Sequence, residues 1–405
     1  MIAFADIREA QDRIRDFIYK TPCAHSETLS HLTGCNLYLK LENLQMTGSF
    51  KERGSLNKIL QLNKQQKAVG VITASAGNHA QGVAHAAGLC GIRAVIVMPE
   101  TTPLAKIQGT SQLGAEIELY GSSYDEAYEK ACELQQCHGY TFIHAFDDPA
   151  VIAGQGTIGL ELVEQVPDID AVVVPVGGGG LISGIALAVK ESHPDIDIIG
   201  VEAERLPAMQ QSVTSGRVIP LRTANTIADG ISVARVGEHT LPIVSKLVSQ
   251  IVTVSEEEIA AAIMTLLERE KSLAEGAGAV GVAAMLQHRM SSLKGKTVVV
   301  VVSGGNIDMT LLARIIDRGL ENDGRVSYVT VVVPDKPGSI AILATLAARH
   351  GANILHITQN RHASEVGLEE SEVELTLETK GHNHVNEIIA ELKKNGISVK
   401  SNNLD

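Results

Sequence analysis

Thr297-Val-Val-Val-Val-Val302 places five valines in an unbroken row. A strand with one face in water alternates apolar and polar residues. A run without alternation is therefore buried on both faces, as in a parallel sheet covered by helices. Further candidate strands, rich in Val and Ile, are Val69–Thr73, Ala94–Met98, Glu116–Tyr120, Ala171–Val176 and Asp197–Val201, and Leu37–Leu41 reads as another. Between them lie helical patterns over Asn78–Ala87, Tyr124–Cys137, Ile152–Glu164, Leu181–Glu191, Glu256–Arg269 and Ala277–Gln287. This alternation predicts an α/β fold with right-handed crossovers and an open sheet. Ligands in such folds collect at the carboxyl ends of strands, so unusual residues just after a strand carry the most information.

At 405 residues the chain is long enough for two or three domains. Its formal charge is 34 − 47 = −13 with no long basic run, which argues against nucleic-acid and anionic-membrane partners. There is no Trp, and only five Phe and seven Tyr, so stacking platforms and membrane belts are poorly supplied. The five cysteines (Cys23, Cys35, Cys90, Cys132 and Cys137) form no C-x-x-C pair. The N-terminal twenty residues are charged rather than signal-like, and a soluble, cytoplasmic protein with reduced thiols is expected. Cys132 and Cys137 read as packing residues of a helix.

The pattern changes after Leu320. Residues 321–325 are polar, contain Gly324 and read as a linker between a domain over 1–320 and a unit over 326–405. The unit runs strand (Val326–Val333), helix (Gly338–His350), strand (Asn353–Gln359), strand (Ser371–Glu378), helix (Val385–Lys394), strand (Ile397–Lys400). That βαββαβ order predicts two helices on one face of a four-stranded antiparallel sheet.

Four segments of the larger domain can carry chemistry. In Thr47-Gly-Ser-Phe-Lys51-Glu-Arg-Gly54, a lysine among small residues follows a strand and a polar turn, so it can be aimed into a cleft; a surface lysine is the plainer reading. Thr73-Ala-Ser75-Ala-Gly77-Asn78-His79 joins a strand end to a helix start, which serves either as an anion site or merely as an N-cap. Gly177-Gly178-Gly179-Gly180-Leu181 follows another strand; four glycines weaken a core but let N–H groups wrap a phosphate at a helix N-terminus. A dinucleotide reading is poorly supported without G-x-G-x-x-G, and no Gly-Lys-Ser/Thr closes a Walker A loop. Ser303, after the valine run, can meet a ring nitrogen or a phosphate, or can cap a helix. His382-Asn-His384 reads as a solvated loop before a helix, and Asp147 and Asp148 before Pro149 as an N-terminal cap.

Taken together, an aimed lysine, a glycine cup, a small-residue loop and a terminal serine match what pyridoxal phosphate (PLP) requires: an amine for its aldehyde, N–H donors for its phosphate and a partner for its ring nitrogen. The chain resembles the fold-type II PLP enzymes of the threonine dehydratase and serine racemase group. The resemblance extends to Phe146-Asp-Asp-Pro-Ala-Val-Ile-Ala-Gly-Gln-Gly156 and Thr226-Ile-Ala-Asp-Gly-Ile231 and covers about residues 5 to 320. It implies two open sheets of the tryptophan synthase β-like kind, with a smaller subdomain inserted over about 52–150. The tail, with Val333-Pro-Asp335-Lys-Pro337-Gly338 and Gly351-Ala-Asn353-Ile, resembles an ACT regulatory domain.

By that resemblance Lys51 holds the cofactor and then acts as base at the substrate Cα. Gly177, Gly178, Gly179, Gly180 and Leu181 bind the phosphate, Asn78 bonds the 3′-oxygen, and Ser303 faces the ring nitrogen. Ser75, Gly77 and His79 hold the substrate carboxylate, and Phe146 lines the substrate side. A serine at the ring nitrogen, unlike a carboxylate, does not favour its protonation, which suits prompt loss of a β-substituent. Two departures matter. Ala76 stands where the racemases carry a second serine that returns a proton to Cα, so elimination should dominate. Glu202 matches a ligand of the racemase cation site, but Ala208 stands where an acidic ligand is expected, so no metal is expected.

The implied activity is dehydration and deamination of L-threonine to 2-oxobutanoate and ammonia, with L-serine to pyruvate as a side activity. A serine-directed dehydratase or racemase is the alternative, and a catalytically silent amino-acid sensor the rival of another class. Asp335, Pro337, Gly338 and Asn353 are expected to bind an amino-acid effector between subunits of a homodimer or homotetramer. Isoleucine is the first candidate, as end product of the biosynthetic pathway that 2-oxobutanoate feeds, and valine the opposing ligand.

Overall fold

The valine run becomes an inner strand of a six-stranded sheet. The computed structural model describes residues 2–363 and 366–402. Its strands, in chain order, are β1 (Cys23–His25), β2 (Asn36–Leu41), β3 (Val71–Ala74), β4 (Ala94–Met98), β5 (Glu116–Leu119), β6 (Thr141–Phe142), β7 (Ala171–Pro175), β8 (Asp197–Ala203), β9 (Gln250–Val254), β10 (Thr297–Val302), β11 (Val326–Pro334), β12 (Asn353–Asn360), β13 (Glu370–Glu378) and β14 (Ser398–Asn402). The large sheet has the order β1-β2-β10-β7-β8-β9, parallel throughout except for the antiparallel β1–β2 pair. Val298 to Val302 are wholly buried, as the lack of alternation requires. A second sheet, β5-β4-β3-β6, is entirely parallel and arises from the chain between β2 and β7.

Three strands escape the hydrophobic pattern. β1 and β6 have three and two residues, and β9 (Gln-Ile-Val-Thr-Val) is an outer strand of half-buried residues. The helices begin where capping chemistry places them. Ser123 with Glu126, and Ser255 with Glu258, form capping boxes. Asp148 accepts from the N–H groups of Ala150 and Val151, with Pro149 in the first turn. Cys137 is exposed at the end of helix Tyr124–His138, so of the two helix cysteines only the half-buried Cys132 is in a position to pack.

Four charges are buried beneath the helix Lys51–Leu60. Arg53 donates to Glu42 at 2.8 Å through both Nε and Nη2, and to Glu161 at 2.6 and 3.0 Å. Lys40 donates to Glu161 at 2.6 Å. Two cations thus face two carboxylates, and the cluster ties the end of β2 to the helices Lys51–Leu60 and Pro149–Gln165.

The chain divides into two compact units, Met1–Ile307 and Asp308–Asp405. The break falls earlier than the expected boundary at Leu320. Residues expected to close the first domain form a helix, Met309–Asn322, that belongs to the second unit, and only Asp323-Gly324-Arg325 of the expected linker lies between helix and strand. The helix is amphipathic, is capped by Asp308, and is tied to β11 by the Tyr328 hydroxyl, which donates to Glu321 at 2.8 Å. The second unit has strand order β12-β13-β11-β14, antiparallel throughout, with helices Ser339–Arg349 and His382–Lys394 packed into its core. His382-Asn-His384 is the first turn of a helix rather than a loop before it. His384 is buried, accepts the Lys380 N–H and donates through Nε2 to the His350 carbonyl.

Candidate active site

Strand order brings distant segments together. β10 lies between β2 and β7, and these three adjacent parallel strands lead at their carboxyl ends into Ser303, the Lys51 loop and the glycine run. The Lys51 loop is zipped onto the end of β10: the Phe50 N–H donates to the Ser303 carbonyl at 3.1 Å, the Gly305 N–H to the Gly48 carbonyl at 2.9 Å, and Ser49 bridges Gly304. Lys51 opens its helix with a buried ammonium that donates to the Ala145 carbonyl at 2.9 Å. Burial brings its pKa down to about 8, with Glu275 opposing the shift.

Gly177 to Gly180 form a turn that side chains would fill. A Cβ at Gly177 would come within 3.0 Å of the Ile231 backbone, and one at Gly178 would run into the Phe146 ring. At Gly180 a Cβ would lie 2.9 Å from the Phe146 carbonyl, and Gly179 has φ +95°, where side chains are disfavoured. Helix Gly180–Ser192 starts here, so its first N–H groups have no acceptor within the helix and point into the turn. Thr240 fastens the turn from outside by donating to the Gly178 carbonyl at 2.7 Å, and Asp147 holds the neighbouring segment by accepting the N–H groups of Glu238 and His239 at 3.0 and 2.9 Å. Asp148 is thus the helix cap, while Asp147 serves this contact.

β3 supplies the opposite wall. Ser75 accepts the Gly77 N–H at 3.3 Å, and the helix Asn78–Leu89 starts immediately after. Asn78 donates to Glu275 and accepts from Asn306, each at 2.6 Å. Glu275 is buried, and burial pushes its pKa up to about 7, helped by the nearby Asp229. Nε2–H of His79 donates to the Ile143 carbonyl at 2.9 Å, which leaves its buried Nδ1 an acceptor without a partner among the described residues. Burial and the Lys51 charge bring the His79 pKa down to about 3, so the ring is neutral.

An amine buried between three strand ends, a cradle that any Cβ would fill and an amide beside it form a donor set that fits PLP. These are the residues expected to hold it: Lys51 would take the aldehyde, Gly177–Leu181 the phosphate, and Asn78 and Ser303 the ring. Phe146, expected along the substrate, places its ring against Gly178 and so buttresses the glycine turn. Glu202 caps helix Ala208–Ser215, accepting the N–H groups of Met209 and Gln210 at 2.8 Å each; burial raises its pKa to about 7.

Sequence reading missed Glu275, Asn306, His144 and Ala145. The available signal was an acidic residue inside Leu273-Ala-Glu275-Gly-Ala-Gly278, directly before a helix buried along nearly all its length. Ala145 had none, because it acts through its carbonyl.

In the second unit, Gly338 (φ +97°) caps helix Ser339–Arg349 directly after the Asp335-Lys-Pro337 turn. The Asp335 carboxylate is already paired, with Arg361 at 2.9 Å and Gln359 at 3.2 Å. Asn353 does not meet this turn within one chain. It pairs in register with Glu378, which pairs with Val326 at the start of β11, whereas Asp335 follows the end of that nine-residue strand. At about 3.3 Å per residue the two lie more than 20 Å apart.

A family model for pyridoxal-phosphate-dependent enzymes matches residues 14–304. The chain is 49 % identical over 400 residues to the L-threonine ammonia-lyase of Thermotoga maritima, covering 99 % of both chains. Among solved structures it is similar to threonine deaminase isoform 2 of Solanum lycopersicum, with 41 % identity, a TM-score of 0.75 and coverage of 77 % of this chain and 91 % of that one. It is also similar to maize serine racemase, with 37 % identity, a TM-score of 0.75, and coverage of 79 % and 98 %. On the match over residues 14–304 and on these relatives, the chain belongs to the pyridoxal-phosphate-dependent enzyme family.

Proposed function

We propose that this chain is an L-threonine ammonia-lyase that also accepts L-serine. The observation that carries the reading is the Lys51 amine, buried at the Ala145 carbonyl with its pKa lowered to about 8, so that a neutral amine is accessible near neutral pH. PLP, when bound, supplies the electron sink that acidifies the substrate Cα–H. The protein does the rest. Lys51 anchors the cofactor and then takes the Cα proton, N–H groups of the Ser75–His79 turn hold the substrate carboxylate, and the glycine cradle fixes the phosphate. The Cβ–O bond breaks with its electron pair on oxygen, which leaves as water. The released unsaturated amine tautomerises and hydrolyses to 2-oxobutanoate and ammonia. Ala76 offers no proton at the position where the racemases carry a serine, which favours elimination over racemisation despite the likeness to maize serine racemase.

The second unit is read as an ACT regulatory domain. Because Asn353 and the Asp335–Gly338 turn lie at opposite ends of β11, a single amino-acid effector can touch both only if two copies contribute, which makes a homodimer or homotetramer part of the proposal. Isoleucine remains the first effector to test, in keeping with a biosynthetic role. Five free cysteines fit a reducing, cytoplasmic setting. The direct experiment measures 2-oxo-acid release from L-threonine and L-serine by the wild type and by Lys51→Ala. Turnover by the wild type and none by the variant is expected; wild-type rates in Lys51→Ala would refute the assignment.

A further inference from the structure

His144 is a histidine with a fixed tautomer and an unused donor. Its Nδ1 accepts the N–H groups of both Phe146 (3.2 Å) and Asp147 (2.8 Å). A ring nitrogen that accepts carries no proton, so the neutral ring bears its hydrogen on Nε2, on the side facing away from that turn. Burial lowers the pKa of His144 and outweighs the opposing pull of the Asp147 and Asp148 carboxylates, with the Lys51 and His239 charges acting in the same direction as burial. The ring stands perpendicular to Phe146 at 4.7 Å between centroids, which restricts its rotation. No described residue accepts from Nε2, in contrast to His79, whose Nε2–H is bound to Ile143.

The position of this donor suggests its use. His144 directly precedes Ala145, whose carbonyl holds the Lys51 ammonium, and Phe146 lies on the phosphate turn. The charge of Lys51 is felt at both His144 and His79. The ring thus belongs to the residue next to the carbonyl that holds this amine, near enough to feel its charge, and the substrate carbon next to Cα carries the leaving group. Hydroxide is a poor leaving group, and a donor aimed at its oxygen is needed most as the C–O bond breaks.

We propose that Nε2–H of His144 donates a hydrogen bond to the β-hydroxyl oxygen of the substrate and so selects amino acids with a hydroxyl leaving group. The inference rests on the lyase reading above. His144 keeps its own proton throughout: the electron pair of the Cβ–O bond leaves with the oxygen, and the proton taken from Cα by Lys51 balances the hydroxide as water. A neutral imidazole acting as an electrophile in this way has precedent in other enzymes.

The test compares L-threonine, L-serine and β-chloro-L-alanine as substrates for the wild type, His144→Phe and His144→Gln, all loaded with PLP. Chloride leaves without a hydrogen-bond donor, so His144→Phe should lose roughly ten- to hundredfold in kcat/KM on the two hydroxy amino acids, the lower part of the range seen when one oxyanion donor is removed. It should stay within about threefold on β-chloro-L-alanine, and His144→Gln, which retains an N–H, should recover part of the hydroxyl-specific loss. PLP content and thermal midpoint should not change between the wild type and the Gln variant. Nitrogen-15 NMR of the wild type should show the proton of His144 on Nε2. Equal losses on chloride and hydroxyl substrates, no loss on either, or a proton on Nδ1 would overturn the proposal. A wild type inert towards all three substrates would instead overturn the lyase reading itself.

Discussion

Replacing Arg53 by methionine tests whether the buried charge cluster holds the Lys51 helix in place. Arg53 is fully buried and makes four hydrogen bonds to carboxylates, two to Glu42 and two to Glu161, besides one to Thr157 at 3.2 Å. The two carboxylates are not equally exposed to its loss. Glu161 keeps Lys40 at 2.6 Å, whereas Glu42 keeps only the Thr21 hydroxyl at 2.5 Å and the more distant charge of Lys40. One carboxylate is stranded, and breaking a buried pair from one side costs about 3–5 kcal/mol. Summing the lost hydrogen bonds separately would overshoot, because methionine recovers apolar burial and Lys40 remains. The pH dependence identifies the cause. In the wild type burial pushes the Glu42 pKa up, but the Arg53 guanidinium, together with the Lys40 charge and the Thr21 hydroxyl, outweighs it and the net shift is downward. A depressed carboxyl contributes stability above its unfolded pKa and loses it as pH falls through the folded value. In Arg53→Met only the Lys40 charge and the Thr21 hydroxyl still oppose burial, the shift should reverse, and protonation relieves the strain. The gap between wild type and variant should therefore be largest near pH 8 and shrink towards pH 5.5, by about 1.4 kcal/mol per pH unit below the raised pKa. Urea unfolding across that range measures it. A gap below about 1 kcal/mol at pH 8, or one that widens on acidification, would refute the reasoning.

Three further outcomes are expected. Ala76→Ser should raise formation of D-serine from L-serine relative to pyruvate, measured by chiral chromatography, because it restores a proton donor; an unchanged ratio would mean that Ala76 is not what limits racemisation. Glu275→Gln keeps an acceptor for Asn78 but cannot ionise. Since burial raises the Glu275 pKa to about 7, the wild type loses stability as pH rises from about 4.5 through that value, and the variant should gain on it over the same range in urea unfolding. A chain ending at Ile307 should keep threonine turnover and lose any shift of half-saturation with isoleucine, which in the full chain should be several-fold for a coupling of about 1–3 kcal/mol; an isoleucine response that survives truncation would place the effector elsewhere.

Local rules reach far into this chain. An unbroken valine run reads as a strand buried on both faces, so the sequence alone determined β10 and the α/β class, and the βαββαβ order of the tail was equally plain. Lys51, the four glycines, Asn78 and Ser303 were legible because each is a local oddity at the end of a strand. The boundary at Ile307 was not, because helix Met309–Asn322 reads locally as a continuation of the preceding domain. What only the tertiary structure decided is adjacency. That β10 inserts between β2 and β7, that Glu275 meets Asn78 across 197 positions of sequence, and that Asn353 lies at the far end of β11 from Asp335 all follow from strand order and register. Strand order and register are set by packing between distant segments, for which no local periodicity leaves a trace. The same holds for Ala145 and the tautomer of His144, because a backbone carbonyl and the placement of one ring proton depend on three-dimensional neighbours and not on residue type.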